Sequence, residues 1–91
     1  MNSLYLKFKH INPKIIAAAV IDENNNVHSL NPPMRHHNII HKLFPIKIIE
    51  QGFLLNDGTF IDRLTAASIA IKSGQINKLN NPPELFTEDL W

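Results

Sequence analysis

The sequence predicts an α+β domain of two layers, in which a mainly antiparallel sheet of four or five strands packs against two helices. Three observations lead to this fold class. The segment 15–21 is apolar at every position and is followed by a turn-rich stretch, 23–26. Residues 56–58 are Asn-Asp-Gly between two apolar runs, and Asp-Gly suits tight hairpin turns. Two further segments, 35–44 and 63–73, carry apolar residues at helical spacing.

Most of the predicted strands lie near the start of the chain. Residues 4–8 alternate between apolar and polar side chains, which is the period of a half-buried strand. The run 15–21 fits a central strand covered on both faces or a short buried helix, and Pro13 before it and the turn after it favour the strand. Residues 27–30 then return as its partner, whereas residues 46–50 carry no decisive pattern.

Both predicted helices have boundaries that the sequence marks. The first, 35–44, follows a break with two prolines and stops at Pro45, because proline cannot continue a helix. The second, 63–73, has Asp62 as its N-terminal cap and Gly74 as its end. We expect the buried stripe of the second helix to contain Leu64, Ala67 and Ile71.

The last residues of the chain, 84–91, follow a predicted loop at 75–83. They include Phe86 and Trp91, and a free terminus rarely carries such large aromatic side chains. We therefore expect this segment to dock on the body of the domain. Trp91 either seals the core of its own subunit or reaches into a neighbouring subunit or a ligand pocket. A chain of 91 residues is expected to form a single domain, and oligomerisation would help to stabilise so small a core.

The composition excludes several classes of protein. The chain has no cysteine, which excludes disulfides, thiolate catalysis and cysteine-ligated zinc or iron–sulfur clusters. A net charge of +1 argues against a mainly electrostatic nucleic-acid binder. The basic cluster near the start is more simply a solvated strand face, and it contains Lys7, Lys9, His10 and Lys14. No apolar run reaches membrane-spanning length and no signal peptide is recognisable, so we expect a cytoplasmic protein without a nucleic-acid or membrane partner.

Little in the sequence predicts catalysis. No serine stands in a nucleophile elbow, no glycine-rich loop has phosphate-binding spacing, and no pair of carboxylates has an acid–base partner. His37 and His41 are four residues apart, as in zinc proteases, but Asn38 stands where those enzymes carry glutamate. A third metal ligand would have to come from His10, His28 or Asp89. We therefore predict no metal, no cofactor and no enzymatic activity, with metal-dependent hydrolysis as a remote alternative.

The strongest clue to a ligand is the position of the two arginines. Arg35 and Arg63 are the only arginines in the chain, and each begins a predicted helix. Guanidinium forks and the unpaired N–H groups of a helix start are both good phosphate binders. The simpler alternative is that Arg63 pairs with Asp62 or Asp89 on the surface, while the side chain of Arg35 is exposed at its helix start.

A series of short motifs resembles a known group of phage proteins. In order along the chain they are Ile16-Ala17-Ala18-Ala19-Val20, Arg35-His36-His37, Gln51-Gly52-Phe53, Asp57-Gly58, Phe60, Asp62-Arg63, Ala66-Ala67, Ile69-Ala70, Gly74-Gln75 and Glu88-Asp89-Leu90-Trp91. Their order and spacing resemble the phage anti-defence proteins that act as sponges against Thoeris immunity. The resemblance covers residues 14–91 and leaves residues 1–12 as an addition, which we expect to form an extra edge strand.

The resemblance implies a non-enzymatic homodimer or larger homo-oligomer in the cytoplasm of the host bacterium. It would sequester cyclic ADP-ribose isomers or related cyclic nucleotides, so that the host effector never receives its signal. Arginines and helix ends would bind the pyrophosphate, an aromatic ring the adenine, and amide or carboxylate groups the ribose hydroxyls. The implied ligand-binding residues are Arg35, His36, His37, Asn38, His41, Gln51, Phe53, Arg63 and Asp89. Of these, Phe53 fits the core of the predicted hairpin better than a base-stacking role.

The main alternative is a protein-binding inhibitor of a bacterial defence complex, comparable to an anti-CRISPR protein. Small size, the lack of catalytic motifs and the resemblance to phage proteins fit this function as well. The partner would then be a host protein in place of a nucleotide.

Overall fold

The computed structural model describes residues 12–91. In this part of the chain four strands and three helices follow one another as β1 (Ile15–Asp22), β2 (Val27–Leu30), α1 (His36–Leu43), β3 (Ile48–Leu55), β4 (Phe60–Asp62), α2 (Arg63–Lys72) and α3 (Thr87–Leu90). The strands form one sheet in the order β2-β1-β3-β4, with every neighbouring pair antiparallel. The predicted α+β class is confirmed. The strand predicted at residues 4–8 lies outside the described residues.

The segment 15–21 belongs to a strand, as its flanking residues predict, and β1 turns tightly into β2. In the turn Asn25 has a positive φ of 66°, a conformation that asparagine tolerates. The carboxylate of Asp22 organises the turn, because its Oδ1 accepts hydrogen bonds from the backbone N–H groups of Asn24 and Asn26 at 2.8 and 3.0 Å. Its Oδ2 accepts a hydrogen bond from Nε2 of His28 at 2.8 Å.

The hairpin predicted around Asp57-Gly58 joins β3 to β4. Gly58 has a φ of 88°, which explains the glycine in this turn. β3 begins at Ile48, so the later part of the segment without a decisive sequence pattern is a strand. Gly52, in the middle of β3, lies opposite Asp62 at the end of β4. Because α2 starts at the next residue, the N-terminal end of this helix lies beside the middle of β3.

Both long helices pack on the same face of the sheet. Ala18 of β1 lies opposite Phe53 of β3, and cross-strand partners project to the same face. Ala18 packs in a hydrophobic cluster with Ile39 of α1, whereas Phe53 packs in a cluster with Ala66 of α2. The helices therefore form one layer and the sheet the other, which agrees with the predicted two-layer arrangement.

The bounds of both long helices agree with the sequence, but the buried face of α2 does not. Ala67 is buried, whereas Leu64 is 56% and Ile71 44% exposed, so the predicted stripe was wrong at those two positions. Apolar residues surround most of this helix, and their spacing does not single out one side. The alanine-rich side faces the sheet because small side chains allow close packing. The buried residues of α2 are Ala66, Ala67, Ile69 and Ala70.

Candidate functional site

The C-terminal segment, which we define as residues 85–91, packs against the starts of both long helices. Leu85 is fully buried and Thr87 nearly so. Trp91 is half-buried and packs against the hydrophobic clusters beneath α1 and beneath α2. Its indole Nε1 donates a hydrogen bond to the carbonyl oxygen of Met34 at 2.9 Å, in the loop just before α1. This segment therefore links the two helix starts that carry the arginines.

Arg35 stands at the N-terminal cap of α1. Its backbone N–H donates to Oδ1 of Asn38 at 2.8 Å, so the predicted binding residue Asn38 holds the start of the helix. The guanidinium reaches the C-terminal segment, where it donates to the backbone oxygen of Trp91. It also lies 3.8 Å from Oε1 of Glu88. The Arg35 side chain is 37% exposed and so remains partly open to solvent.

Arg63 is the first residue of α2 and turns towards the same segment. Its terminal nitrogen donates to Oε1 of Gln51 at 2.8 Å, and its guanidinium carbon lies 4.5 Å from the centre of the Phe86 ring. This distance is within the range of a cation–π contact. Its Nε is buried and has no hydrogen-bond partner among residues 12–91. Arg63 thus still has an N–H group to offer, because Gln51 and Phe86 do not satisfy it.

The carboxylates proposed as surface partners for Arg63 have other bonds. Asp62 accepts a hydrogen bond from the backbone N–H of Thr65 at 2.7 Å and so caps α2, as the sequence predicts. Asp89 accepts from the backbone N–H groups of Phe86 and Asn80 at 2.9 and 3.1 Å. Asp89 therefore holds the start of α3 in the C-terminal segment.

His36 is part of the core, beneath the start of α1. It is only 6% exposed, and its Nε2 donates a hydrogen bond to the carbonyl oxygen of Gly52 at 2.6 Å. Its ring meets the ring of Phe53 edge-on, with 5.1 Å between the centres. Phe53 is fully buried, in agreement with its interpretation as a core residue. Both residues are therefore closed to a ligand that stays on the surface.

His37 and His41 are exposed on α1. They line an open cavity of about 610 Å³ together with Ile40 and Phe44. No group of three or more potential metal ligands occurs within residues 12–91. The structure therefore divides the predicted binding residues into an arginine group at the C-terminal segment and a histidine group on α1.

Sequence reasoning missed four side chains that the structure places at these two sites, namely Ile40, Phe44, Phe86 and Glu88. Phe86 and Glu88 contact the two arginines, and Phe44 lines the cavity on α1. The opposite charge of Glu88, within a segment predicted to dock, was an available signal for a contact with an arginine. Phe44 lies seven residues after His37, which places both on one side of a helix.

Folding perturbs the pKa values of His36 and Asp22, and these two shifts predict a stability that depends on pH in two separate ranges. Burial lowers the pKa of His36 below its ordinary 6.5, and the positive charge of Arg63 lowers it further. The hydrogen bonds from His28 and the backbone of Asn26 lower the pKa of Asp22 from 3.8 to about 2. In both cases the unfolded chain binds protons at a higher pH than the folded chain, so protonation favours unfolding.

We therefore expect the midpoint of urea unfolding to fall in two steps as the pH is lowered. The contribution of neutral His36 is complete above pH 6.5 and is lost below it. The contribution of ionised Asp22 is complete above pH 3.8 and is lost as the pH approaches about 2. In a series of urea titrations, His36→Gln should abolish the upper step alone. A wild-type midpoint that does not change between neutral pH and the ordinary range of a carboxylate would contradict the role given to His36.

Comparison with known proteins decides the family. A family model described as phage T4 y16D protein matches residues 14–91, a region that contains every strand and helix of the described structure. The chain belongs to the phage T4 y16D protein family. It is thus a small phage protein. No curated protein and no solved structure matches the chain.

The phage T4 y16D family match begins at Lys14, one residue before β1. Both arginine sites and the whole C-terminal segment lie within the matched region. No helix among residues 12–91 of this family member has the length and apolar character needed to cross a membrane.

Proposed function

We propose that this phage protein is a non-enzymatic sponge that sequesters cyclic ADP-ribose isomers or related cyclic nucleotides in the cytoplasm of the host bacterium. The observation that carries the proposal is the convergence of Arg35 and Arg63 on the C-terminal segment. They are the only arginines of the chain, and each stands where a helix begins. The resemblance of the sequence motifs to anti-defence sponges points to the same class of ligand.

The chemistry of the two helix starts suits a pyrophosphate. A guanidinium binds phosphate oxygens through two parallel N–H bonds, and the first N–H groups of a helix add further donors and a favourable dipole. Arg63 has a buried Nε without a partner among the described residues, and Gln51 holds its terminal nitrogen in place. A bound phosphate would give this Nε the acceptor that it lacks once a local movement of the Arg63 side chain exposes it.

The remaining parts of a nucleotide find matching groups near the arginines. The ring of Phe86 is half-buried and stacks on the Arg63 guanidinium, so in this proposal Phe86 takes the base-contacting role that the resemblance assigns to Phe53. Glu88 supplies an exposed carboxylate that can accept hydrogen bonds from ribose hydroxyls. Glu88 lies 3.8 Å from the Arg35 guanidinium, and a loose contact of this kind is easily exchanged for a phosphate.

We expect each arginine to contribute to nucleotide affinity. Titration calorimetry with a panel of cyclic ADP-ribose isomers and cyclic dinucleotides should detect binding of at least one ligand. Arg35→Ala and Arg63→Ala should each weaken it by about tenfold to a hundredfold, because each removes charge-assisted hydrogen bonds worth about 1.5–3 kcal/mol. Arg63→Lys should recover only part of the affinity, since lysine keeps the charge but lacks the planar fork.

The matched control is Lys78→Ala, which removes an exposed positive charge in the loop between α2 and α3. Its affinity should stay within about twofold of the wild type, because an exposed charge outside a site contributes little. If no ligand of the panel releases heat, or if Lys78→Ala weakens binding as much as the arginine variants do, the proposal fails. Thermal melts of every variant establish that each one is folded.

A second candidate function is a protein-binding inhibitor of a bacterial defence complex. Large exposed apolar side chains on several elements favour it, among them Phe44 at 80%, Leu64 at 56% and Ile49 at 56% exposure. Such side chains are often parts of protein interfaces. Recovery of a defence complex on the immobilised protein, unaffected by Arg35→Ala and Arg63→Ala, would favour this candidate over the sponge.

A further inference from the structure

We infer that the exposed side of α1 is a docking groove for an acidic polypeptide segment that carries an apolar side chain. The groove, here called the α1 groove, is lined by His37, Ile40, His41 and Phe44. The arginine site uses other residues, so this inference does not depend on nucleotide binding.

The α1 groove is large enough to receive one side chain of a partner and its neighbours. Its residues follow one another at helical spacing, three, four and seven positions after His37, and so lie along one side of the helix. The cavity of about 610 Å³ is within the common size range of ligand sites in proteins. Phe44 stands at one end of the groove. Its backbone N–H donates to the carbonyl oxygen of Ile40 at 3.0 Å, which ties its backbone to α1. An aromatic ring that is 80% exposed yet held at a fixed backbone position is well suited to anchor a partner.

The charge around the α1 groove selects an acidic partner. Between Glu23 and Glu50 the sequence contains no aspartate or glutamate. Outside the arginine site, the same stretch carries two lysines, Lys42 and Lys47, and two of its histidines, His37 and His41, line the groove itself. Lys42 and Lys47 are exposed close to the end of α1. An acidic segment would therefore meet no like charge from this stretch, and Lys42 and Lys47 would supply cations near the end of the helix that carries the groove.

The same charge distribution argues against a second copy of the chain on this surface. In a two-fold dimer formed through α1, two surfaces without acidic residues would face each other. The negative charge of the chain is concentrated after Ile49, where six acidic residues accompany three basic ones. A separate protein with an acidic, apolar segment therefore fits the α1 groove better than a copy of the same surface.

The test is selection from a random peptide library displayed on phage, panned on the immobilised wild-type protein. We expect the selected peptides to combine aspartate or glutamate with a large apolar residue. Their affinity, measured by fluorescence anisotropy, should fall by at least about tenfold in Phe44→Ser, because loss of an interface anchor typically costs more than 1 kcal/mol. The affinity should also fall as salt is added.

The matched control is Leu64→Ser, which removes an exposed apolar side chain on α2. It should bind the selected peptides as tightly as the wild type. The inference is overturned if no peptide is enriched, if the selected peptides lack acidic residues, or if Leu64→Ser loses as much affinity as Phe44→Ser.

Two further measurements on the full chain identify other occupants of the α1 groove. If light scattering finds a dimer for the wild type and a monomer for Phe44→Ser, the occupant of the groove is a second copy of the chain. If the wild type sediments with phosphatidylserine vesicles and Phe44→Ser does not, the occupant is a lipid surface. Either result would overturn the assignment to an acidic polypeptide. The expected result is that the two proteins have the same mass and that neither binds vesicles.

Discussion

Gly52→Ala is expected to destabilise the domain by about 3 kcal/mol or more, since overpacking against rigid atoms is among the costliest core changes. A Cβ at position 52 would lie 2.1 Å from the backbone oxygen of Ile61 and 2.6 Å from the ring of Phe60. The nearer contact is with backbone, so a change of rotamer cannot relieve it. The carbonyl of Gly52 also accepts the hydrogen bond of buried His36, which any shift of β3 would strain. In a domain of this size the melting temperature should fall by more than about 10 °C.

Two variants separate this clash from the general effect of losing a glycine. In Gly58→Ala the new Cβ has nothing within 4 Å, but the residue keeps a φ of 88°. This variant should therefore lose only about 1–2 kcal/mol of stability, which is the cost of a left-handed conformation for a residue with a side chain. Gly52→Ala combined with Phe60→Ala removes the ring but leaves the backbone contact, and it should remain unstable. A melting temperature of Gly52→Ala equal to that of the wild type would contradict the close approach of β3 and β4 at this position.

Trp91→Ala is expected to destabilise the domain by about 2–3 kcal/mol, somewhat less than for a fully buried tryptophan. Trp91 packs against both hydrophobic clusters, and its loss would uncover part of the core beneath each long helix. Trp91→Phe should retain much of the packing but lose the hydrogen bond to Met34, at a cost of about 1 kcal/mol. Urea unfolding monitored by far-ultraviolet circular dichroism measures both changes.

Phe44→Ala is the matched control, because it truncates an aromatic side chain that is 80% exposed. Its stability should remain within about 0.5 kcal/mol of the wild type, as for most surface substitutions. Equal losses for Trp91→Ala and Phe44→Ala would contradict the docking of the C-terminal segment against the core.

Local signals predicted much of this fold. Asparagines mark the β1–β2 turn, and Asp57-Gly58 marks the β3–β4 hairpin. These residues act through backbone preferences and side-chain bonds that reach only a few positions along the chain. The helix bounds follow from proline and capping residues in the same way. The position of one helix beside the other depends on contacts between distant segments, which no local spacing reveals. α2 is an example, since its apolar residues surround the helix and the side that faces the sheet emerged only from packing against β3.

The candidate site could be predicted from local sequence even less completely than the fold. The sequence identifies Arg35 and Arg63 as helix-start residues, and the structure places both there. Their partners come from the other end of the chain, since Arg35 bonds to Trp91 and Arg63 stacks on Phe86. His36, Asn38 and Asp89 have side chains suited to ligand binding, yet each makes hydrogen bonds that hold the fold. Residue type and spacing do not distinguish these roles, because both depend on the same polar groups.

Sequestration of an intact cyclic nucleotide can be tested by releasing whatever ligand the protein has bound. Purified protein is incubated with each candidate immune signal, freed from unbound ligand by filtration and denatured by heat, and the released compounds are identified by mass spectrometry. We predict recovery of an intact cyclic ADP-ribose isomer or related cyclic nucleotide from the wild type, and little from a variant with both Arg35→Ala and Arg63→Ala. Recovery of a degraded product would establish an enzyme, and recovery of no nucleotide would contradict the sponge.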